Sequence, residues 1–475
     1  MPDRMLQFVT VAQQTPPKRA ADLRRQDFEE IYAEYAPAAA AVQASRCSQC
    51  GVPFCQAHCP LANNIPDWLK LAAEGRLDEA YEISAATNNF PEICGRICPQ
   101  DRLCEGNCVI EKGFDSVTIG AVERFITDNA FEQGWVRPIK PRQERRQSVG
   151  IIGAGPGGLA AAEQLRKRGY QVHVYDRYDR VGGLMIYGIP GFKLEKPVVL
   201  RRWKLLEEGG IQFHLNCAIG HDITFQELRA RHDAVLIATG VYRPRDIGGP
   251  GAGLPGIVAA LDYLTASNRA GLGDTVTDFV NGKLDAHGKR VVVVGGGDTA
   301  MDCVRTAVRQ GAASVTCLYR RDRANMPGSL REVKNAEEEG VQFQWLAAPE
   351  AFLGDISATG VRALRMHLGQ PDAAGRQTVE PIAGSAFTVP ADLVIKALGF
   401  DPEDLPGAFG EPALKVSRHG TLTIDRHSFT TSLPGVYAAG DIVRGASLVV
   451  WAIRDGRDAA AAMHAQMQQS SKVAA

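Results

Sequence analysis

Short apolar runs alternate with helical stretches through most of the chain. Two of these runs, 149–152 and 290–294, are rich in Val and Ile, the pattern of strands that are buried on both faces of a parallel sheet. Each run leads into a Gly-rich turn and then into a stretch of good helix formers, at 160–165 and 301–309. Another apolar strand pattern follows each helix. The sequence therefore predicts two strand–turn–helix–strand units and an α/β fold.

The first of these turns has the spacing Gly-x-Gly-x-x-Gly, at Gly153, Gly155 and Gly158. In this context the glycines allow a tight turn, close approach of a pyrophosphate and close packing of the helix on the strand. The pyrophosphate would lie on the free N–H groups of the helix N-terminus. Because Asp176 ends the next strand, where a carboxylate accepts a hydrogen bond from a ribose hydroxyl, we predict a Rossmann-like dinucleotide-binding domain. Further candidate residues of its site are Pro156, Gly157, Gly183, Leu184, Thr239 and Gly240.

The second turn reads Gly295-x-Gly297-x-x-Ala300, with alanine in the third position. The strand that follows it ends in Arg320 and Arg321 instead of an acid. A ribose 2′-phosphate needs cationic partners, whereas a free ribose hydroxyl needs an acceptor, so this unit is predicted to bind NADPH. The alternative is a solvated basic strand end, since Asp322 stands among the arginines. The candidate residues of this second site are Gly295, Gly297, Asp298, Thr299, Ala300, Arg320 and Arg321.

A third block, near the C-terminus, indicates which dinucleotide the first unit binds. A short strand pattern ends in Gly440 and Asp441, and an apolar helix is predicted at 447–453. Flavoproteins use this order to present an aspartate to the ribityl chain and a helix N-terminus to the isoalloxazine. We therefore expect FAD on the first unit and NADPH on the second.

Eight of the 11 cysteines are concentrated in the region before these units. They are Cys47, Cys50, Cys55, Cys59, Cys94, Cys98, Cys104 and Cys108. Two [4Fe–4S] clusters require two sets of four ligands, and Cys-Pro at the end of a cysteine run is a recurrent ferredoxin feature. Zinc is the main alternative, but zinc sites are usually built from Cys-x2-Cys pairs, and only Cys47 and Cys50 have that spacing. The sequence thus predicts a mainly helical iron–sulfur domain that precedes the two nucleotide units.

Composition excludes several classes of protein. The net charge is −1, so no overall positive field favours nucleic acid or an anionic membrane. No apolar run approaches the ~18 residues of a membrane-spanning helix, and the N-terminus lacks the apolar segment of a signal peptide. We therefore expect a cytoplasmic protein whose cysteines do not form a disulfide framework.

With these motifs in place, residues 40–465 closely resemble the small (β) subunit family of bacterial NADPH-dependent glutamate synthase. The most specific matches are Cys47-Ser-Gln-Cys50-Gly-Val-Pro-Phe-Cys55, Gly153-Ala-Gly-Pro-Gly-Gly158, Gly295-Gly-Gly-Asp-Thr-Ala300 and Gly440-Asp441. Wider relatives are adrenodoxin-reductase-like flavoproteins and the cluster-bearing N-terminal half of dihydropyrimidine dehydrogenase. The resemblance implies FAD, NADPH and two low-potential [4Fe–4S] clusters. It also implies a partner, an FMN-containing large (α) subunit that makes glutamate from glutamine and 2-oxoglutarate with electrons from this chain.

The resemblance implies a ligand set for each cluster as well. In relatives, three cysteines of the first run share one cluster with the last cysteine, here Cys47, Cys50, Cys55 and Cys108. The other cluster takes three cysteines and a Glu or Gln on the following helix, here Cys59, Cys98, Cys104 and Glu123. Cys94 would then be unligated, whereas the count of cysteines alone favours eight thiolates. Both sets stay open at this point, and the resemblance favours Glu123.

Together these patterns predict three domains. Residues 1–145 form the iron–sulfur domain, in which 27–46 is helical in composition and interrupted by a proline. The FAD-binding domain is discontinuous, at 146–255 and 396–475. The NADPH-binding domain, 256–395, is inserted in it.

The predicted activity needs no catalytic side chain. Hydride transfer from NADPH to a flavin depends on placement and electrostatics, not on a protein nucleophile or acid. A flavin between NADPH and the clusters would split a two-electron hydride into single electrons. No Cys-x-x-Cys lies beside the flavin motifs, which disfavours disulfide reduction. Two alternatives remain, an electron-transfer subunit of a transhydrogenase or pyrimidine-reductase type, and a scaffold with degenerate nucleotide folds.

Overall fold

The N-terminal region is a bundle of short helices. The computed structural model describes residues 5–371 and 377–473, so the outermost ends of the first and last predicted domains, 1–4 and 474–475, lie outside the described residues. Trp68, Val122 and Ile126 are fully buried in the core of the bundle. Its helices are α1 (Ala21–Arg24), α2 (Pro37–Ala44), α3 (Phe54–Ala57), α4 (Ile65–Ala73), α5 (Leu77–Thr87), α6 (Pro91–Ile97), α7 (Glu111–Phe114) and α8 (Ile119–Glu132).

The helical segment predicted at 27–46 is shorter in the structure. Residues 27–36 are not helical, and α2 begins at Pro37. Proline is favoured at a helix start because its missing N–H would have no intrahelical partner there. Pro37 therefore begins a helix and does not interrupt one.

The remaining elements form two nucleotide-binding folds, one inserted in the other. The first part contains β1 (Ser148–Ile152), α9 (Pro156–Lys167), β2 (Gln171–Tyr175), α10 (Leu184–Tyr187), α11 (Lys196–Glu208), β3 (Gln212–His214), α12 (Phe225–Arg231), β4 (Ala234–Ile237) and β5 (Arg243–Pro244). The inserted part contains β6 (Ile257–Ala259), α13 (Ala260–Gly271), α14 (Thr277–Val280), β7 (Arg290–Val294), α15 (Asp298–Arg309), β8 (Ser314–Tyr319), α16 (Leu330–Glu338), β9 (Gln342–Trp345), β10 (Ala347–Leu353), β11 (Gly360–Pro371), β12 (Gln377–Pro381), β13 (Phe387–Pro390) and β14 (Leu393–Lys396). The last part contains β15 (Phe400–Asp401), α17 (Leu405–Phe409), β16 (Val436–Ala438), α18 (Asp441–Arg444) and α19 (Val449–Val473).

The first sheet has the strand order β16–β4–β1–β2–β3, and all its strands are parallel. Strand β16 comes from the C-terminal part, so this sheet is completed only after the chain has returned from the insertion. The carboxyl ends of these strands meet along one edge, which is where ligands bind in open α/β sheets.

The second sheet has the order β6–β14–β7–β8–β9 and is also parallel. The predicted boundary between the inserted domain and the second part of the FAD-binding domain, at 395 and 396, falls within strand β14 of this sheet. There Val394 pairs with Ile257 on one side and with Val292 on the other. The chain therefore leaves the second sheet only after β14.

Two short strands connect the sheets. Strand β5 carries the chain out of the first fold and β15 carries it back, and the two pair antiparallel with Pro244 opposite Phe400 and Arg243 opposite Asp401. The chain therefore enters and leaves the inserted fold along one two-stranded stem, formed by β5 and β15.

A four-stranded antiparallel sheet, β10 to β13, was not predicted. Strand β11 lies at its centre and pairs with β10, β12 and β13. Val361 and Ala363 of β11 are buried and Arg362 between them is exposed, so this strand covers the core with one face and meets solvent with the other.

Helix α19 has 25 residues and continues far beyond the end predicted at 453. It packs along α9 at a point where two glycines meet. A Cβ atom on Gly456 would lie 2.1 Å from the carbonyl oxygen of Gly157, so no larger residue fits without moving a helix. Ala459 and Ala460 extend the buried contact along α19.

We expect Gly456→Ala to lower the free energy of unfolding by about 1–3 kcal/mol, because the added methyl group would force α9 and α19 apart. Urea unfolding would measure the loss. Gly271→Ala is a matched control, since a Cβ there meets no atom within 4 Å, and it should leave stability unchanged or slightly higher. Equal losses in both variants would contradict the importance of the helix contact.

Candidate cofactor sites

The first Gly-rich turn is shaped to receive a phosphate group. Gly153 has φ +109°, and its Cβ would lie 2.4 Å from the carbonyl oxygen of Ala238, so the tight turn requires glycine. A Cβ on Gly155 would meet no atom within 4 Å, which leaves open space directly over the turn. Helix α9 begins at Pro156, and no side chain caps its N-terminus. Its free N–H groups therefore point into the space that Gly155 leaves open.

A cleft of about 140 Å3 extends from this turn and is lined by Asp176 and Thr239, among others. The carboxylate of Asp176 accepts hydrogen bonds from the backbone N–H of Ala154 at 2.6 Å and of Tyr178 at 2.9 Å, and burial raises the pKa of this carboxyl group. The hydroxyl of Thr239 is buried and has no hydrogen-bond partner among the described residues. Gly240, with φ +71°, follows it. A polar ligand in this cleft would satisfy the Thr239 hydroxyl.

The C-terminal block follows β16, which pairs parallel with β4, so it lies at the same edge of the first sheet as this cleft. Gly440, with φ +78°, precedes α18, which begins with Asp441. One carboxylate oxygen of Asp441 is buried without a hydrogen-bond partner in the described part of the chain, and burial raises the pKa of this group to about 6. Gly183, at the start of α10 before Leu184, packs against the backbone of Gly155. The open turn and the two unsatisfied polar groups fit a bound FAD.

The second Gly-rich turn repeats the geometry of the first. Gly295 has φ +149°, and its Cβ would lie 2.2 Å from the carbonyl oxygen of Ala397. Gly297, like Gly155, faces open space, and α15 begins at Asp298 without a side-chain cap. Thr299 and Ala300 follow in the first turn of α15. This site fits a second dinucleotide.

The arginines at the end of β8 are available for a phosphate. Arg320 is exposed and makes no ion pair within residues 5–371 and 377–473, and Arg321 donates only a long hydrogen bond, 3.4 Å, to the carbonyl of Gln377. The sequence left a solvated strand end as the alternative because Asp322 stands among the arginines. In the structure, Asp322 accepts hydrogen bonds from the backbone and side-chain N–H groups of Asn325. Arg320 and Arg321 are therefore not neutralised by that acid.

A loop that sequence reasoning missed covers the second turn. The N–H of Gly328 donates to the carbonyl of Gly296 at 2.9 Å, and the N–H of Ser329 donates to the carboxylate of Asp298 at 3.0 Å. The turn-forming pair Pro327-Gly328, placed shortly after an arginine-ended strand, was the available signal.

Four cysteines form one group, which we call the outer group: Cys47, Cys50, Cys55 and Cys108. Burial, together with the nearby thiols of the other three, raises the pKa of Cys55 to about 12. A buried thiol of this kind remains protonated at neutral pH unless it loses its proton and binds a metal centre as a thiolate.

The second set of donors, which we call the inner group, surrounds one cavity: Cys59, Cys94, Cys98, Cys104 and Glu123. Glu123 is buried on α8 and accepts hydrogen bonds from the side chains of Asn63 and Asn88, each at 3.2 Å. Burial raises the pKa of Glu123 to about 8, against the effect of the hydrogen bond from Asn88. The structure therefore brings both open alternatives, Cys94 and Glu123, to the same cavity.

Neither group is gathered around a single point. In the described part of the chain, no three His, Cys, Asp or Glu side chains are arranged for one metal ion. In a [4Fe–4S] cluster each cysteine binds a different iron, so the ligands stand around a cluster and not around one ion. The donor chemistry of both groups fits iron–sulfur clusters.

Comparison with known proteins agrees with this arrangement. The family described as dihydropyrimidine dehydrogenase domain II, 4Fe-4S cluster, matches residues 24–135, and the family described as pyridine nucleotide-disulphide oxidoreductase matches residues 147–456. The glutamate synthase [NADPH] small chain of Azospirillum brasilense is 69% identical over 463 residues, which is 97% of this chain and 96% of that protein. The same small chain of Escherichia coli (strain K12) is 46% identical and covers 97% of this chain and 98% of its own length.

The chain belongs to the glutamate synthase [NADPH] small-chain family. The resemblance found in the sequence is confirmed, and so is the predicted activity class, an NADPH-dependent flavoprotein oxidoreductase with a 4Fe–4S domain. Among solved structures, Mycobacterium tuberculosis FprA in complex with NADPH has a TM-score of 0.59 at 21% identity, and it covers 70% of this chain and 86% of its own. That likeness supports the α/β fold. No helix in the described residues is long and apolar enough to cross a membrane.

We expect the double variant Arg320→Ala with Arg321→Ala to raise the Kd of NADPH much more than that of NADH. The reason is that the 2′-phosphate is the only difference between the two ligands. Titration of the purified protein with each nucleotide would measure both constants. Arg323→Ala is the control, because Arg323 already pairs with Glu337 at 2.6 Å. An equal loss for NADH and NADPH would show that the two arginines do not bind the phosphate.

Proposed function

We propose that this chain is the electron-input subunit of a glutamate synthase. It would oxidise NADPH at FAD and deliver single electrons through two [4Fe–4S] clusters to an FMN-containing large subunit, which makes glutamate from glutamine and 2-oxoglutarate. The open turn at Gly155, with Thr239 and Asp441, would hold FAD, which would supply the chemistry that links two-electron oxidation of NADPH to NADP+ with one-electron transfer to iron–sulfur clusters. The observation that carries the proposal is that the inner group shares a hydrophobic core with the first fold, whereas Cys47 and Cys55 of the outer group lie in a core of N-terminal residues.

The inner group is the one that adjoins the first fold. Cys94 and Cys98 are part of the same hydrophobic core as strands β1 and β2 and helix α9. Val450, at the start of α19 beside the Asp441 block, lines the cavity of the inner group directly. The inner group therefore stands where electrons from the first fold would enter.

The outer group lies farther from the first fold. Cys47 and Cys55 belong to a core formed by N-terminal residues alone. Three large apolar side chains next to its cysteines are exposed: Val52 (67%), Phe54 (49%) and Val109 (56%). We call these three the exit patch, because an exposed apolar patch is typical of a surface that a partner covers. Its place in the chain beside Cys50, Cys55 and Cys108 supports it as the surface that meets the large subunit.

The decisive test of the function is NADPH oxidation by the reconstituted complex with the large chain. We expect oxidation that requires both glutamine and 2-oxoglutarate and that yields glutamate. A complex that oxidises NADPH but ignores 2-oxoglutarate would point to the alternative, an electron-transfer subunit of the transhydrogenase or pyrimidine-reductase type.

The ligand of the inner cluster can be decided by two single variants. We propose Cys59, Cys98, Cys104 and Glu123 as its ligands, with Cys94 unligated. Cys94→Ala should then retain the iron and sulfide content of the wild type, whereas Glu123→Ala should lose the EPR signal of one cluster. The opposite pattern would mean that Cys94 is the fourth ligand.

The exit patch predicts a specific assembly defect. Val52→Glu should weaken binding to the large chain, because it places a charge in an apolar contact. Ile356→Glu is the control, since Ile356 is even more exposed, at 88%, but lies in the loop between β10 and β11 of the inserted fold. Size-exclusion chromatography with the large chain would measure binding, and iron analysis of each variant would verify that the cluster is intact. Equal binding of both variants would exclude the patch as the contact.

A further inference from the structure

The second fold is attached to the rest of the molecule by contacts other than the two-stranded stem. Residues 17–33 form a hairpin, which we call the arm hairpin, in which the N–H of Arg19 donates to the carbonyl of Ile31 and the N–H of Ala33 donates to the carbonyl of Pro17, both at 2.9 Å. From the sequence, the polar and basic residues 1 to about 25 fit either an arm over a partner or a loose terminus. The structure instead shows an ordered segment with contacts to all three parts of the protein.

One side of the arm hairpin is fixed to the first fold and to the helical bundle. The carboxylate of Glu30 accepts a hydrogen bond from the backbone N–H of Glu195 at 3.1 Å. The same carboxylate pairs with Arg96 of α6 at 2.7 Å and with Arg124 of α8 at 3.0 Å. Glu30 therefore joins the arm hairpin to α6, α8 and the segment before α11.

The tip of the arm hairpin inserts a single arginine into the second fold. Arg24 is 1% exposed, and it pairs with Glu339 at 2.9 Å and with Glu338 at 2.7 Å at the C-terminal end of α16. Glu339 is itself buried and also pairs with Arg305 at 2.9 Å and with Arg309 at 2.7 Å. The arginine of the arm thus completes a charge cluster that belongs to α15 and α16.

The first fold contacts the same charge cluster. The ring of Phe192 lies under the guanidinium groups of Arg305 and Arg309, with 4.4 and 4.0 Å to the ring centroid. Lys193 pairs with Asp302 of α15 at 2.9 Å. Helices α15 and α16 are therefore held by the arm hairpin and by the first fold together, and α15 is the helix that begins at the second Gly-rich turn.

We propose that Arg24 is a positioning residue for hydride transfer, and this inference rests on the proposed function. The stem alone would leave the second sheet free to turn about it. By holding α16, Arg24 acts with Phe192 and Lys193 to hold the second sheet at one orientation to the first, and this orientation sets the distance between the two dinucleotide sites. It does so without touching either site.

The charge cluster allows Arg24 to be removed without leaving a buried charge unpaired. In Arg24→Met, Glu339 keeps both Arg305 and Arg309, and Glu338, being at the surface, can be solvated. The large penalty for an uncompensated buried carboxylate is thereby avoided. Arg25 is the matched control, because it is the adjacent arginine and is exposed.

The test compares Arg24→Met, Arg24→Lys and Arg25→Met in the FAD-loaded full chain. We expect Arg24→Met to bind NADP+ with unchanged Kd but to reduce its flavin about tenfold or more slowly at saturating NADPH, since a displacement of about 1 Å can cost on the order of 10²-fold in rate. Arg24→Lys should recover part of the rate and Arg25→Met all of it. Hydrogen–deuterium exchange should become faster in the arm hairpin and in α16 only in Arg24→Met.

Three results would overturn the inference. They are an unchanged rate of flavin reduction in Arg24→Met, a slower rate explained wholly by weaker NADP+ binding, and an equal effect of Arg25→Met. If Arg24→Met does not fold, Glu338→Gln, which removes one surface partner of Arg24, should show a smaller change of the same kind, and no change would count against the inference. A wild-type chain that fails to reduce its flavin with NADPH would instead refute the proposed function.

Discussion

Direct backbone contact between α9 and α19 is the constraint on which the first nucleotide-binding fold depends. Helix α9 carries the Gly-rich turn at its start, and α19 follows the Gly440-Asp441 block, so the separation of these helices sets the width of the site between them. Because Gly157 and Gly456 have no side chains, the two helices approach to backbone contact. The first Gly-rich turn and the Gly440-Asp441 block are far apart in the sequence, and the packing of α9 on α19 brings them together.

Features that depend on local chemistry were predictable from the sequence. Strands β1 and β7 are β-branched runs that end in glycines, and steric limits at Gly153 and Gly295 leave few other structures for such a pattern. The start of α2 shows the limit of this reasoning. Pro37 can break a helix or begin one, and only the extended arm before it decides between the two.

Contacts between residues that are far apart in the sequence could not be predicted from the sequence. The spacing of the cysteines does not reveal that Cys94 and Glu123 face one cavity, since they lie on different helices, α6 and α8, that meet only in the folded bundle. Helix α19 continues past its apolar segment because α9 supplies a partner for it. Arg24 has the sequence context of a surface residue, and its burial depends on acids of α16 that lie in a different fold.

The stem formed by β5 and β15 has a consequence for how this architecture could arise. Its two strands enter and leave the insertion at paired residues, Arg243 opposite Asp401 and Pro244 opposite Phe400. A chain that lacked everything between them could be closed there by a short hairpin turn, and all five strands of the first sheet would still be present. The second fold is therefore a modular insert with a single point of entry, and an ancestral flavin fold could have acquired it in one recombination event. The contacts of α15 and α16 with the arm hairpin and with Phe192 join this insert to the rest of the chain at places other than the stem.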